Sequence, residues 1–114
     1  MRTNFKMEYE NITMIKGDTL SFDVEVIDQS GAPITVDEAY FTCKKNINSG
    51  DKAFQKSLGS GITYDGDLLV VRVAPTDTET LEAGRYFYDL QLRKDDDVYT
   101  PMIGILTIVQ DVTD

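Results

Sequence analysis

Leu81-Glu82-Ala83-Gly84-Arg85-Tyr86-Phe87-Tyr88-Asp89-Leu90-Gln91-Leu92-Arg93 carries two signals at once. From Tyr86 onward, Tyr86, Tyr88, Leu90 and Leu92 alternate with Phe87, Asp89, Gln91 and Arg93. A period of two, apolar on one side and mostly polar on the other, predicts a β-strand with one buried face. Ahead of it, Leu81 and Gly84 follow the end of a short helical signal. Downstream, Asp95-Asp96-Asp97 turns the chain into a final strand, Val98 to Val109.

The same period recurs upstream. Leu20, Phe22, Val24 and Val26 alternate with Ser21, Asp23 and Glu25, and Ala39, Phe41 and Cys43 alternate with Tyr40, Thr42 and Lys44. Ser30-Gly31-Ala32-Pro33 reads as a turn between these two strands. Asn46 to Asp51 reads as a polar loop, Lys52 to Leu58 as a short edge strand, and Gly59-Ser60-Gly61 as its end. Ile62-Thr63-Tyr64 and Leu68 to Val73 flank Asp65-Gly66-Asp67, a strong hairpin signal. Ile12 to Lys16 is a further short strand, and Phe5, Met7 and Tyr9 alternate ahead of it. The one helical signal is a capping box, Thr76-Asp77-Thr78-Glu79 after Pro75, sufficient for about one turn. Seven or eight strands with turns between them and no long helix predict an all-β sandwich or barrel. The expected organisation is an N-terminal arm over residues 1–10 and one domain over 11–114.

Composition narrows the chemistry. The 114 residues include 20 Asp+Glu against 11 Lys+Arg, a formal charge of −9, with one Cys, no Trp and no His. Without His there is no imidazole general base and no Ser-His-Asp or Cys-His pair, and Cys43 alone supports neither a disulfide nor a Cys/His zinc site. The expectation is therefore no enzyme, no catalytic residues, no metal and no cofactor. A sequence pI near 4.3 argues against nucleic acid and anionic membranes as partners. Met1-Arg2-Thr3-Asn4-Phe5-Lys6 lacks the apolar core of an export signal, and no apolar run nears the roughly 20 residues of a membrane helix. Synthesis and assembly in a cytoplasm follow as the expectation.

Leu81, Gly84 and Tyr86 resemble the plug, turn and corner residues of the tyrosine corner in immunoglobulin-like sandwiches. Tyr88 then stands where an antibody domain keeps its second Cys, and the strand-C Trp is missing, so Phe22, Phe41, Tyr88 and aliphatic side chains must fill the core. The resemblance implies an Ig-like antiparallel sandwich of seven to eight strands. A second resemblance rests on an ordered set. Gly17-Asp18-Thr19, Gly31-Ala32-Pro33-Ile34, Gly84-Arg85-Tyr86-Phe87-Tyr88-Asp89-Leu90-Gln91-Leu92, Thr100-Pro101-Met102-Ile103-Gly104 and Asp111-Val112-Thr113-Asp114 together resemble the N-terminal domain of phage baseplate upper proteins. This implies a non-enzymatic virion component of a tailed phage or prophage, placed in the tail or baseplate. Its implied partners are other tail or baseplate proteins and copies of itself.

Several acidic groups invite a chemical reading. Asp95, Asp96 and Asp97, with Asp65 and Asp67, offer oxygens of the kind Ca²⁺ takes, yet Asp is also an ordinary turn residue and no EF-hand spacing is present. Asp23 with Glu25, and Asp77 with Glu79, are paired carboxylates on an outward strand face and in a capping turn, where they solubilise. Gly59-Ser60-Gly61 lacks the Lys and helix of a phosphate loop. Cys43 shares parity with Ala39 and Phe41 and reads as a small buried hydrophobe.

Apolar residues on faces that should be wet are more informative. Phe87 and Tyr40 point away from their inward neighbours, on strands that adjoin in an Ig-like sheet. The last strand is apolar on both faces, with Met102, Leu106 and Ile108 on one and Ile103, Ile105 and Val109 on the other. The expected interface is Tyr40, Phe87, Met102, Leu106 and Ile108. The competing expectation is a bulge near Pro101 or Gly104 that switches which face is inward. An alternative function is a carbohydrate-binding module, Ig-like or jelly-roll, that stacks sugars on Tyr40, Phe87 or Tyr99.

Overall fold

The computed structural model describes residues 2–3, 8–28 and 30–112, with side chains from Tyr9 onward. Phe5, Met7, Thr113 and Asp114 lie outside the described residues. The protein is nearly all-β, with 60% strand and 4% helix. The strands are β1 (Arg2–Thr3), β2 (Glu8–Tyr9), β3 (Ile12–Ile15), β4 (Leu20–Val26), β5 (Glu38–Lys44), β6 (Phe54–Leu58), β7 (Gly61–Asp65), β8 (Leu68–Val73), β9 (Gly84–Lys94) and β10 (Asp97–Val109). They pair in the order β1-β4-β8-β7-β6-β5-β9-β10-β2, with β3 also on β10. Eight of them form a nearly closed barrel. Its gap lies between β4 and β3, the two ends of the path once the two-residue strands are set aside.

Residues 2–3 and 8–10 join this sheet. Arg2–Thr3 runs parallel to β4, and Glu8–Tyr9 runs parallel to β10. The N-terminal segment therefore pairs with β4, which borders the gap, and with β10, the strand that carries β3. On β10 it is held tightly. The Glu10 N–H donates to the Ile103 carbonyl at 3.0 Å, and Asn11 Oδ1 accepts from the Ile105 N–H at 3.1 Å. The Tyr88 hydroxyl donates to the Glu10 carbonyl. Gly104 makes room for this approach, since a Cβ at that position would overlap the Glu10 carbonyl.

Alternation sets the core. Val24 and Val26 of β4, Ala39, Phe41 and Cys43 of β5, Leu69, Val71 and Val73 of β8, and Tyr86, Tyr88, Leu90 and Leu92 of β9 are all buried. Phe41 is the hub. Its ring lies 5.6 Å from Phe22 edge-on, 6.2 Å from Phe54 and 5.3 Å from Tyr88, centroid to centroid. Cys43 is fully buried beside them, and burial pushes its thiol up to about 12. At pH 8 only about one thiol in ten thousand is then ionised, and the thiolate is the reactive form. Ellman's reagent should therefore leave Cys43 untouched in native protein and react with one equivalent after unfolding in guanidinium. Prompt labelling of native protein would show that the site opens.

The turn before β9 has corner geometry. The Tyr86 hydroxyl donates to the Glu82 carbonyl at 2.7 Å, and Leu81 is half-buried against the core. Gly84 sits at φ 143°, a region that favours glycine. Lys45 covers the outside of the corner, its ammonium 4.7 Å from the centre of the Tyr86 ring.

The helical turn α1 (Pro75–Thr78) begins earlier than the capping-box reading predicts. Ala74 is the N-cap and Pro75 the first helical residue, where proline's fixed φ suits a helix start. The acceptor that returns to the cap is Asp77, not Glu79: its Oδ2 accepts from the Ala74 N–H at 2.7 Å. Asp77 also holds Lys56 of β6 through both oxygens, at 3.0 and 2.9 Å. Thr78 is fully buried, its Oγ1 accepting from the Gly17 N–H at 2.9 Å. Of the candidate acids, Asp77 thus ties α1 to β6, and a further acid, Asp37, accepts from the Asp95 N–H in the β9–β10 turn.

Candidate functional site

The outer face of the β6-β5-β9-β10 sheet is where apolar and charged side chains meet in the open. Register places them. Thr42 of β5, Asp89 of β9 and Ile103 of β10 stand in one row, and Lys44, Phe87 and Ile105 in the next. Tyr40 faces Gln91, and Glu38 faces Arg93, further along.

This face departs from the expected patch at β10. Met102, Leu106 and Ile108 are at most 2% exposed and belong to the core. The cause is a bulge between Tyr99 and Met102. Before it Tyr99 faces Leu92, and continuing that register would place Gly104 opposite Phe87. After it Ile105 faces Phe87, so the odd-numbered residues Ile103 and Ile105 turn outward. A one-residue slip reverses every side chain that follows, and Pro101, which cannot donate to the ladder, sits within it. Tyr40 and Phe87 likewise do not share one apolar patch. Asp89 and Gln91 occupy the outward positions of β9 between Phe87 and the row of Tyr40.

Two hollows result. The first, about 520 Å³, has apolar walls from Phe87, Ile103 and Ile105, closed by Tyr9 of the N-terminal segment and Ile47 of the β5–β6 loop. Phe87 is 41% exposed and Ile47 57%. The second, about 560 Å³, is polar and includes Glu38, Tyr40, Gln91 and Arg93. Here the Tyr40 hydroxyl donates to Glu38 at 3.1 Å, and Arg93 Nε lies 3.7 Å from the same carboxylate. That pair is half exposed, so water screens it and it adds little to stability. Glu38 holds the phenol proton, raising the Tyr40 pKa above its usual value.

Thr42, Lys44 and Asp89 line both hollows. Asp89 is half-buried, and burial raises its carboxyl above the usual range, with the positive charge of Lys44 opposing the shift. The Lys44 ammonium itself donates to the Ser49 carbonyl at 3.0 Å, and the Thr42 hydroxyl accepts from the Gln55 amide at 2.9 Å.

Sequence reasoning named Phe87 for this face and missed Asp89, Ile47 and Tyr9. Ile47 lies in a run read as a polar loop, and its apolar side chain within that run was the available signal. Tyr99, the third candidate sugar platform, is half-buried against the core and donates to Asp97 at 3.3 Å. Among the described residues, no group of three His, Cys, Asp or Glu is arranged to hold a metal ion. No known protein family model matches the chain, and no curated protein matches it significantly.

Proposed function

We propose that this chain is a non-enzymatic, Ig-like structural module of a phage or prophage tail or baseplate, working by docking onto neighbouring virion proteins. Three features support the reading. The ordered sequence set from Gly17 to Asp114 carries the family resemblance. The strand order β4-β8-β7 followed by β6-β5-β9-β10 matches strands B-E-D and C′-C-F-G of an Ig-like sandwich, and only two residue pairs join β6 to β7. The Tyr86 to Glu82 bond has the form of a tyrosine corner.

The observation that carries the assembly reading is the apolar groove at Phe87, Ile103 and Ile105. Apolar surface gathered in a hollow and rimmed by polar groups marks an interaction site more often than scattered exposed residues do. Tail particles purified after prophage induction in the source strain should contain this chain by mass spectrometry. Phe87→Glu should fold normally by circular dichroism and be lost from the particles at least tenfold. Particles without the wild-type chain would overturn the reading. The polar hollow at Tyr40, Gln91 and Arg93 favours one second reading, a carbohydrate-binding module. Saturable binding of cell-wall polysaccharide to a monomer, abolished by Tyr40→Ala, would establish it instead.

A further inference from the structure

We infer that the outer face of the β6-β5-β9-β10 sheet binds the opposite face of a second copy of this chain, so that copies associate head to tail. The inference rests on the assembly reading above and names the partner surface: the outer face of β4, β8 and β7.

The two faces differ in sign. On the first, the outward positions of β5 and β9 and the linings of both hollows carry Lys44, Lys52, Arg85 and Arg93 against Glu38 and Asp89. Bases outnumber acids there, in a chain that has 20 acids to 11 bases. On the second face, Glu25, Leu68 and Asp65 stand in one row across β4, β8 and β7, and Asp23, Val70 and Thr63 in the next. These positions alternate with the buried Val24, Leu69, Val71 and Ile62, so they point outward. Leu68 and Val70 are half-buried, and acids flank both. Among the described side chains at the outward positions of these three strands, Arg72 is the one base.

Each face thus sets apolar side chains among charges of mainly one sign, and the two signs are opposite. Docked together, Leu68 and Val70 of one copy fill the hollow walled by Phe87, Ile103 and Ile105 of the next. Asp23, Glu25 and Asp65 then face the bases around that hollow. Apolar contact supplies affinity, and the surrounding charges fix partner and register. Two-fold pairing of the first face with itself is opposed, because it sets Lys44, Arg85 and Arg93 against their own counterparts. The −9 of each copy repels at a distance, yet at physiological salt charges more than about 8 Å apart are largely screened, so those in contact decide. A contact between two unlike faces leaves one of each unused on the pair, and continued addition gives rings or open chains.

That geometry has a test that two-fold pairing cannot pass. Phe87→Glu spoils the first face and Val70→Lys the second, with folding of each checked by circular dichroism. Arg85→Glu and Asp65→Lys, both at exposed positions, replace them if either fails to fold. In sedimentation velocity from roughly 10 to 500 µM, the wild type should grow past the dimer with concentration. Each variant alone should associate at least tenfold more weakly. Mixed in equal amounts, the two variants should form a one-to-one dimer and nothing larger, since each supplies the face the other lacks. A wild type that stays monomeric overturns the inference and leaves the groove to a different protein or a sugar. A wild type that stops at the dimer, or variants that fail to complement each other, overturns it too. Particle content is a separate outcome: a chain absent from tail particles whose variants still complement refutes the virion reading and leaves the head-to-tail contact standing.

Discussion

Replacing Phe41 with alanine should lower the stability of the domain by about 4 kcal/mol. The ring is fully buried and packs on Phe22, Phe54 and Tyr88, which come from three different strands. Its removal opens a void between rings that β-sheet backbones hold apart, so collapse is limited and the cavity penalty adds to the lost transfer free energy. Phe41→Leu retains most of the volume and should cost about 1–2 kcal/mol. Urea titrations at fixed pH would show the midpoint falling with the slope unchanged. A loss below 1 kcal/mol for the alanine variant would mean the neighbouring rings close the space, and would demote Phe41 as the hub.

Gly104→Val should be nearly as severe, at about 3 kcal/mol, although it adds apolar volume to a buried position. Any Cβ there meets the Glu10 carbonyl, and it also comes within 3.2 Å of the Tyr88 ring. The N-terminal segment must then leave β10, which breaks the Glu10 to Ile103 and Tyr88 to Glu10 bonds together. A double-mutant cycle tests this route. Tyr88→Phe in the wild type leaves the Glu10 carbonyl without its phenol donor and should cost about 1 kcal/mol. In a Gly104→Ala background it should cost almost nothing, because the bond has already gone. Additive costs would show that the segment stays seated and that the clash is relieved elsewhere.

These two positions differ in how far the sequence reveals them. Phe41 is legible, since it lies at the centre of an alternating run whose opposite face is Tyr40, Thr42 and Lys44. The same holds for β4, β8 and β9, where each strand has one face that only a core can accept. On β10 the argument fails for a physical reason. Both parities are apolar there, so hydrophobicity does not choose between Met102 and Ile103, and a local bulge makes the choice. Gly104 is illegible for a related reason. Its requirement comes from the backbone of Glu10, which reaches it only through the parallel pairing of β2 and β3 with β10. The groove was half legible. Phe87 stands out as an aromatic at a polar position, whereas Asp89 looks like any solvated strand acid until its neighbours are known.

The pairing of β3 with β10 constrains the order of folding. Ile12–Ile15 lies beside Leu106 to Val109, at opposite ends of the sequence. During synthesis the first of these strands emerges long before β10, with which it pairs, exists. Ile12 and Met14, which end up against the core, must therefore wait in water while the strands between them and β10 are made. Contacts between distant parts of a chain slow folding and lengthen the life of partly built states. The surplus of acids acts in this interval. Repulsion between incomplete chains of the same sign keeps their open edges apart until β10 arrives to cover them.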